Sequence, residues 1–230
     1  MIYTEKYDNE LSTFPIYQLY PELIPLIGTD INKVNKHFLF IGESHYLPKE
    51  REDVHTNIEL WYDDRVNLDE TERYWLSTRK LISTGVNQKY KSKAHSIYMN
   101  IEKSLIDSGL NPELQDNMFR YCSFMNFFQR PACPGVSIKD SHIDRQTAFE
   151  ALCHVAATVK PDALIFVSRM AYNVYDWYKT NTDQALKLPY HVVPHPGSTW
   201  WNRKSSKYLN EKKEQQTGRE HLLQILTKFN

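Results

Sequence analysis

Apolar residues along this chain gather in four short runs, separated by longer stretches with helical periodicity. The runs Phe38 to Ile41, Tyr121 to Phe128, Ala163 to Ser168 and His191 to Val193 are rich in branched and aromatic residues and bounded by breakers, which predicts buried strands. Between them, Ala94 to Ser108 sets Ile97, Ile101, Leu105 and Ile106 on one helical face and stops at Gly109. Asp144 to Lys160 repeats the pattern with Phe149, Leu152, Val155, Ala156 and Val159, opening on an aspartate that can cap and ending before Pro161. The tail from Ser205 to Phe229 mixes charges with Leu222, Leu223, Ile225 and Leu226, and predicts one amphipathic helix with a solvated first half. Residues 47 to 92 are charged and aromatic by turns, and predict a helical insertion or a lid. Strands alternating with helices imply βαβ units. The predicted fold is therefore α/β, a single domain over residues 1–230 built as a three-layer α/β/α sandwich around a central, mainly parallel four-stranded sheet.

Composition narrows this picture. A chain of 230 residues, 41% hydrophobic, is long enough for one core and short for two. Lys and Arg number 28 against 28 Asp and Glu, so a nucleic-acid or membrane partner would have to use a local patch rather than the whole-protein field. The polar start, Met1-Ile2-Tyr3-Thr4-Glu5-Lys6, has no signal-type apolar core, and no run approaches the roughly 20 apolar residues of a membrane span. The expectation is a soluble, cytoplasmic, monomeric protein without a membrane partner. Cys122, Cys133 and Cys153 are odd in number and lack a C-x-x-C pair, which suits reduced thiols and no metal or cluster.

Two segments carry candidate chemistry. His195 stands between Pro194 and Pro196, which forbid helix and present the imidazole on a stiff loop behind the strand that ends at Val193. Gly42-Glu43-Ser44-His45-Tyr46 follows the first strand, so its side chains belong at the same carboxyl edge, with Asn126 from the second strand. A carboxylate, imidazoles, an amide and a phenol converging there can orient water, donate to a developing anion and read a planar polar ligand. Taken one by one, Gly42 can equally be a turn residue and each histidine a hydrogen-bonded loop residue. Ser44 is a poor match to a G-x-S-x-G nucleophile elbow, because Tyr46 occupies the second glycine's place. His191 and His195 share the H-x-x-x-H spacing of a zinc helix, but on extended chain they lie about 13 Å apart.

Taken together, Phe38 to Tyr46, Phe124-Met125-Asn126 and His195-Pro196-Gly197-Ser198 resemble the ordered motifs of the uracil-DNA glycosylase superfamily. There a strand opens into a G-Q-D-P-Y-H or G-E-A-P-G loop, a middle strand ends in a base-reading asparagine, and a late H-P-S loop supplies a histidine. Phe127-Phe128-Gln129-Arg130-Pro131 and Pro161 to Phe166 are similar to its more distant members, so the resemblance spans residues 37 to 200. It implies Gly42, Tyr46, Asn126 and Phe127 as base-binding residues and His195 as the donor to the leaving base. Ser44 stands in place of the water-orienting aspartate and His45 in place of the loop proline, which leaves water activation to Glu43 assisted by His45. Gly197 lengthens the H-P-S loop. Ser198, Trp200, Trp201, Arg203 and Lys204 are the implied DNA contacts, with a tryptophan as the wedge for a flipped base. The expected activity is hydrolysis of the N-glycosidic bond of uracil or a deaminated purine in DNA, without a cofactor. Two other readings stand beside it: a nucleic-acid or nucleotide-binding protein that kept the fold and lost hydrolysis, and a small-molecule hydrolase using the Gly42–Tyr46 loop.

Overall fold

The structure, a computed structural model, describes residues 1–109, 117–182 and 186–229. Helices α1 (Asp8–Leu11) and α2 (Pro15–Leu19) precede strands β1 (Leu26–Ile27) and β2 (Phe38–Gly42). The interval after β2 is a helical insertion of α3 (Glu52–Thr56), α4 (Ile58–Asp63), α5 (Glu70–Leu76) and α6 (Thr78–Asn87). Then come α7 (Ser96–Asp107), β3 (Ser123–Asn126), α8 (His142–Val159), β4 (Ala163–Phe166), α9 (Arg169–Asn181) and β5 (Tyr190–Val192). The chain closes with a hairpin, β6 (Ser205–Leu209) and β7 (Gln215–Gln216), and helix α10 (Gly218–Thr227).

The main sheet has the order β1-β3-β2-β4-β5. All four predicted strands are present and mutually parallel, and β1 adds a fifth, antiparallel to β3. The four-stranded prediction is corrected here: β1 is only two residues, too short to show a period, yet Leu26 and Ile27 are fully buried against β3. Strand β2 lies in the middle, with β3 on one side and β4 on the other, so its carboxyl end is a topological switch point of the kind that holds ligands in open α/β sheets.

The pleat sends alternate residues into two separate cores. Phe38 and Phe40 of β2, Phe124 of β3 and Ile165 of β4 pack with Leu81 of α6, Tyr98, Ile101 and Leu105 of α7, and Leu222 and Leu226 of α10. Leu39, Ile41, Met125, Leu164 and Phe166 face the other way, onto Phe149, Leu152 and Val155 of α8 and Tyr175 of α9. Helices thus cover both faces, the α/β/α layering the runs predict. Full burial of each large apolar side chain is worth about 1.5–3 kcal/mol.

Two helix boundaries move for local reasons. Helix α8 begins at His142 rather than at Asp144, because Ser141 is the cap and Asp144 sits three residues on as its reciprocal partner. The tail prediction also fails in its first half: residues 205–216 are a hairpin, not a helix. The Asn210 side-chain oxygen accepts from the Lys212 and Glu214 amides, Lys213 takes a φ of 62°, and Tyr208 is buried, while α10 starts only at the Thr217–Glu220 capping box. The helical insertion is tied down by a buried ion pair. Arg130 and Asp144 meet at 2.9 Å, Tyr62 donates to Asp144 at 2.8 Å, and Arg130 also reaches the Val54 and His55 carbonyls. Burial pushes the Asp144 carboxyl up, and the Arg130 guanidinium with its hydrogen bonds more than offsets this, leaving it below the usual carboxylate range. Removing one partner of such a pair costs about 3–5 kcal/mol.

His37 and His45 are both buried, and burial brings each down to about 4, against opposing pulls from Asp162 on His37 and from the Trp75 carbonyl on His45. The unfolded chain binds these protons near pH 6.5 and the native chain does not until about 4. Stability is therefore fully present above pH 6.5 and falls as pH drops toward 4, by on the order of 3 kcal/mol for each histidine. Urea unfolding followed from pH 7.5 to 4.5 is expected to show a midpoint that holds above pH 6.5 and falls below it; a flat profile would contradict the neutral assignment.

Candidate functional site

The pleat that sorts the core also builds the site. Residues 38, 40 and 42 of β2 share one face, as do 124 and 126 of β3 and 163, 165 and 167 along β4. At the carboxyl edge this parity sets Asn126, Gly42 and Val167 side by side on the face toward α6 and α7, with Gly42 opposite Asn126 in the β2–β3 register. Gly42 has no side chain to fill the middle of that row. A Cβ there would lie 2.3 Å from Asn126 Oδ1 and 3.0 Å from the Phe124 ring. The Asn126 amide lies over the glycine instead, and both residues line a cavity of about 520 Å³, within the range of ordinary small-molecule sites.

Glu43, Ser44, His45 and Tyr46 line this cavity with Gly42, Asn126, His195 and Gly197, so three strand ends and their loops converge on it as the motif spacing predicts. The loop after β2 is zipped to the chain after β3: Phe128 N–H donates to the Glu43 carbonyl at 2.9 Å, Ala132 N–H to the His45 carbonyl at 2.8 Å, and Leu47 N–H to the Ala132 carbonyl at 3.0 Å. The histidine loop is clamped from two helices. Asn100 of α7 donates to the Pro196 carbonyl at 2.8 Å, and α10 packs so closely on Pro194 that a Cβ on Gly218 would lie 2.2 Å from its Cγ.

His195 carries its own constraint. The Gly197 amide donates to His195 Nδ1 at 3.2 Å, so Nδ1 is an acceptor and the ring proton of the neutral form sits on Nε2. Burial lowers the pKa of His195, partly opposed by the Glu43 carboxylate, so the ring presents a neutral N–H donor. Burial raises the pKa of Tyr46, and the same carboxylate adds to the rise. Glu43 Oε2 accepts from Ser168 Oγ at 2.9 Å.

Several predicted roles change. His45 lines the cavity, but its ring nitrogens face Trp75 O at 3.3 Å and Thr78 Oγ1 at 3.4 Å, and it is 4% exposed. It shapes the wall and is not free to assist Glu43 with a proton. Phe127 is wholly buried on the opposite face of the sheet, against Phe128 and Phe166, and cannot stack on a ligand; the parity of β3 sends it the wrong way. The aromatic walls are instead Phe124, Tyr46, Tyr98 and Trp75. Ser44 Oγ is covered and has no hydrogen-bond partner among the described residues, so no imidazole activates it, and a small-molecule hydrolase with Ser44 as nucleophile lacks its base. Trp201 is 1% exposed within the α7–α10 core, which removes it from the DNA contacts, whereas Trp200 is 53% exposed. Arg203 and Lys204 are exposed at the start of the hairpin, and Ser198 caps the short turn that carries the tryptophans without a side-chain hydrogen bond.

The chain matches no family model and no curated protein. The site is therefore defined by its geometry. Among the described residues no three His, Cys, Asp or Glu side chains are grouped to hold a metal ion. The sequence reading missed Phe124, Tyr98 and Ser168. Phe124 was available from parity, as the position two before Asn126, and Ser168 from its place as the cap after an apolar run.

Gly42→Ala tests the row directly. The added methyl has to displace the Asn126 amide, while the strand backbone accepts it, so stability should change by no more than about 1–3 kcal/mol. A crystal structure of the variant should show Asn126 rotated away; an unmoved amide would contradict the packing described.

Proposed function

We propose that the protein binds a nucleobase in this cavity and hydrolyses the N-glycosidic bond of a damaged base, uracil or a deaminated purine, in DNA. The observation that carries the reading is the meeting of Gly42, Glu43, Tyr46, Asn126 and His195, each singled out by likeness to a glycosylase motif, around one cavity. The flat aromatic walls suit a planar ligand, and the Asn126 amide offers a donor and an acceptor to a base edge.

The chemistry follows from these groups. Water adds to the anomeric carbon as the bond to the base breaks, and the bonding pair leaves with the base. The Nε2–H of His195 donates to the base oxygen where that charge collects. Glu43 faces the cationic sugar and takes the proton from the attacking water. Glu50, the other carboxylate of the loop after β2, does not line the cavity, which leaves this step to Glu43.

The strand would run past Trp200 and the basic hairpin. Ion pairs in this region join Arg219 to Asp107 and Lys228 to Glu211, which leaves Arg203, Lys204 and Lys207 exposed for phosphates. A second reading, base binding without cleavage, is favoured by one observation: Glu43 is the sole carboxylate among the described residues that line the cavity, and it must serve both sugar and water.

Release from oligonucleotides containing uracil, hypoxanthine or xanthine separates the two. Cleavage by the wild type should fall about 10²–10³-fold in His195→Ala. Equal release by both proteins would overturn the role of His195. If the wild type binds without releasing a base, the second reading holds; Lys204→Glu with Lys207→Glu should then weaken binding and flatten its salt dependence by about one unit for each phosphate no longer neutralised.

A further inference from the structure

The cavity holds a carboxylate and an imidazole that attract one another. Glu43 acts electrostatically on the His195 ring, yet no hydrogen bond or ion pair joins them among the described residues. Were they to pair, the Nε2–H of His195 would be consumed by Glu43 and lost to any ligand. A donor elsewhere can direct the carboxylate away from the ring.

Ser168 is placed to do so. It follows β4, and continuing the parallel register two residues beyond the Ile41–Phe166 pair brings it beside Glu43. It is 1% exposed and caps helix α9, its oxygen accepting from the Ala171 amide at 3.3 Å. That bond uses a lone pair and leaves the hydroxyl's single proton, which goes to Glu43 Oε2 at 2.9 Å. The cap thus fixes the direction of the donor, and a 13-residue helix fixes the cap.

We propose that Ser168 is a positioning residue that holds Glu43 apart from His195 and so keeps the imidazole donor open to the ligand. Its part in catalysis rests on the function proposed above, whereas the separation of the two groups does not. Among the described residues, the other titratable groups on the cavity wall are His45 and Tyr46 after β2, and Lys93 and Tyr98 before and within α7.

The test is the titration of the His195 ring, followed by NMR. Ser168→Gly removes the donor while glycine remains a tolerable cap. In this variant Glu43 should swing to His195 and move its titration midpoint to higher pH, and Ser168→Thr, which keeps the hydroxyl, should return the midpoint to the wild-type position. In a Glu43→Gln background, Ser168→Gly should leave the midpoint where it was. An unmoved midpoint in Ser168→Gly, or the same movement with and without the Glu43 carboxylate, would overturn the proposal. Base release, if the wild type shows it, should fall about tenfold or more in Ser168→Gly and recover in Ser168→Thr, as expected for loss of a charge-assisted hydrogen bond. A wild type that releases no base, with the His195 midpoint moving as described, would remove the glycosylase reading and leave the positioning role standing.

Discussion

Everything at the carboxyl edge depends on the absence of a side chain at position 42. The central strand has partners on both sides, and its last residue lies between Asn126 and Val167 on one face. A methyl group there would occupy the space of the Asn126 amide and press on Phe124. One wall of the cavity is thus ordinary strand alternation in which the Asn126 amide lies over a glycine. The surrounding core supplies the rigidity, since the same face continues below as Phe38, Phe40 and Ile165 packed on α6, α7 and α10.

Burial then sorts the charges. It pushes His45 and His195 down and Tyr46 and Tyr98 up, so each is held toward its neutral form. Among the described residues, Glu43 and Lys93 are the cavity's remaining ionisable groups, with Lys93 exposed at the wall before α7. A space with neutral donors, aromatic faces and one oriented carboxylate suits a flat polar molecule on which negative charge develops away from Glu43. Fixed dipoles such as the His195 N–H act strongly in such a place because little reorganisation is needed when the charge appears.

Much of the architecture was legible because parallel strands covered on both faces appear as unbroken apolar runs, as in Phe38 to Ile41. Strand β1 was too short to show a pattern. Helix α9 lacks a simple aliphatic stripe, since its buried positions are Ala171, Tyr175 and Tyr178. The hairpin was hidden by its composition: the lysines and glutamates of residues 205–216 look like a solvated helix until the Asn210 turn is considered. Within the site, motif order identified Gly42, Glu43, Asn126 and His195, which do share one cavity. It failed at Phe127 and Trp201 because adjacency in sequence says nothing of which side of a strand or turn faces the ligand. His45 was misjudged for a different reason, since its partners Trp75 and Thr78 come from the helical insertion, where no pattern could be read.

The proposed function requires that this cavity receive a nucleobase on Asn126 and His195. NMR titration of the labelled protein with uracil, hypoxanthine and xanthine tests it most directly. For at least one of these bases, the Asn126 side-chain amide and the His195 ring should shift together and saturate with one dissociation constant, while the exposed Trp177 indole on α9 stays unchanged. No response at Asn126 and His195, or shifts confined to exposed aromatic residues such as Trp177, would contradict the account.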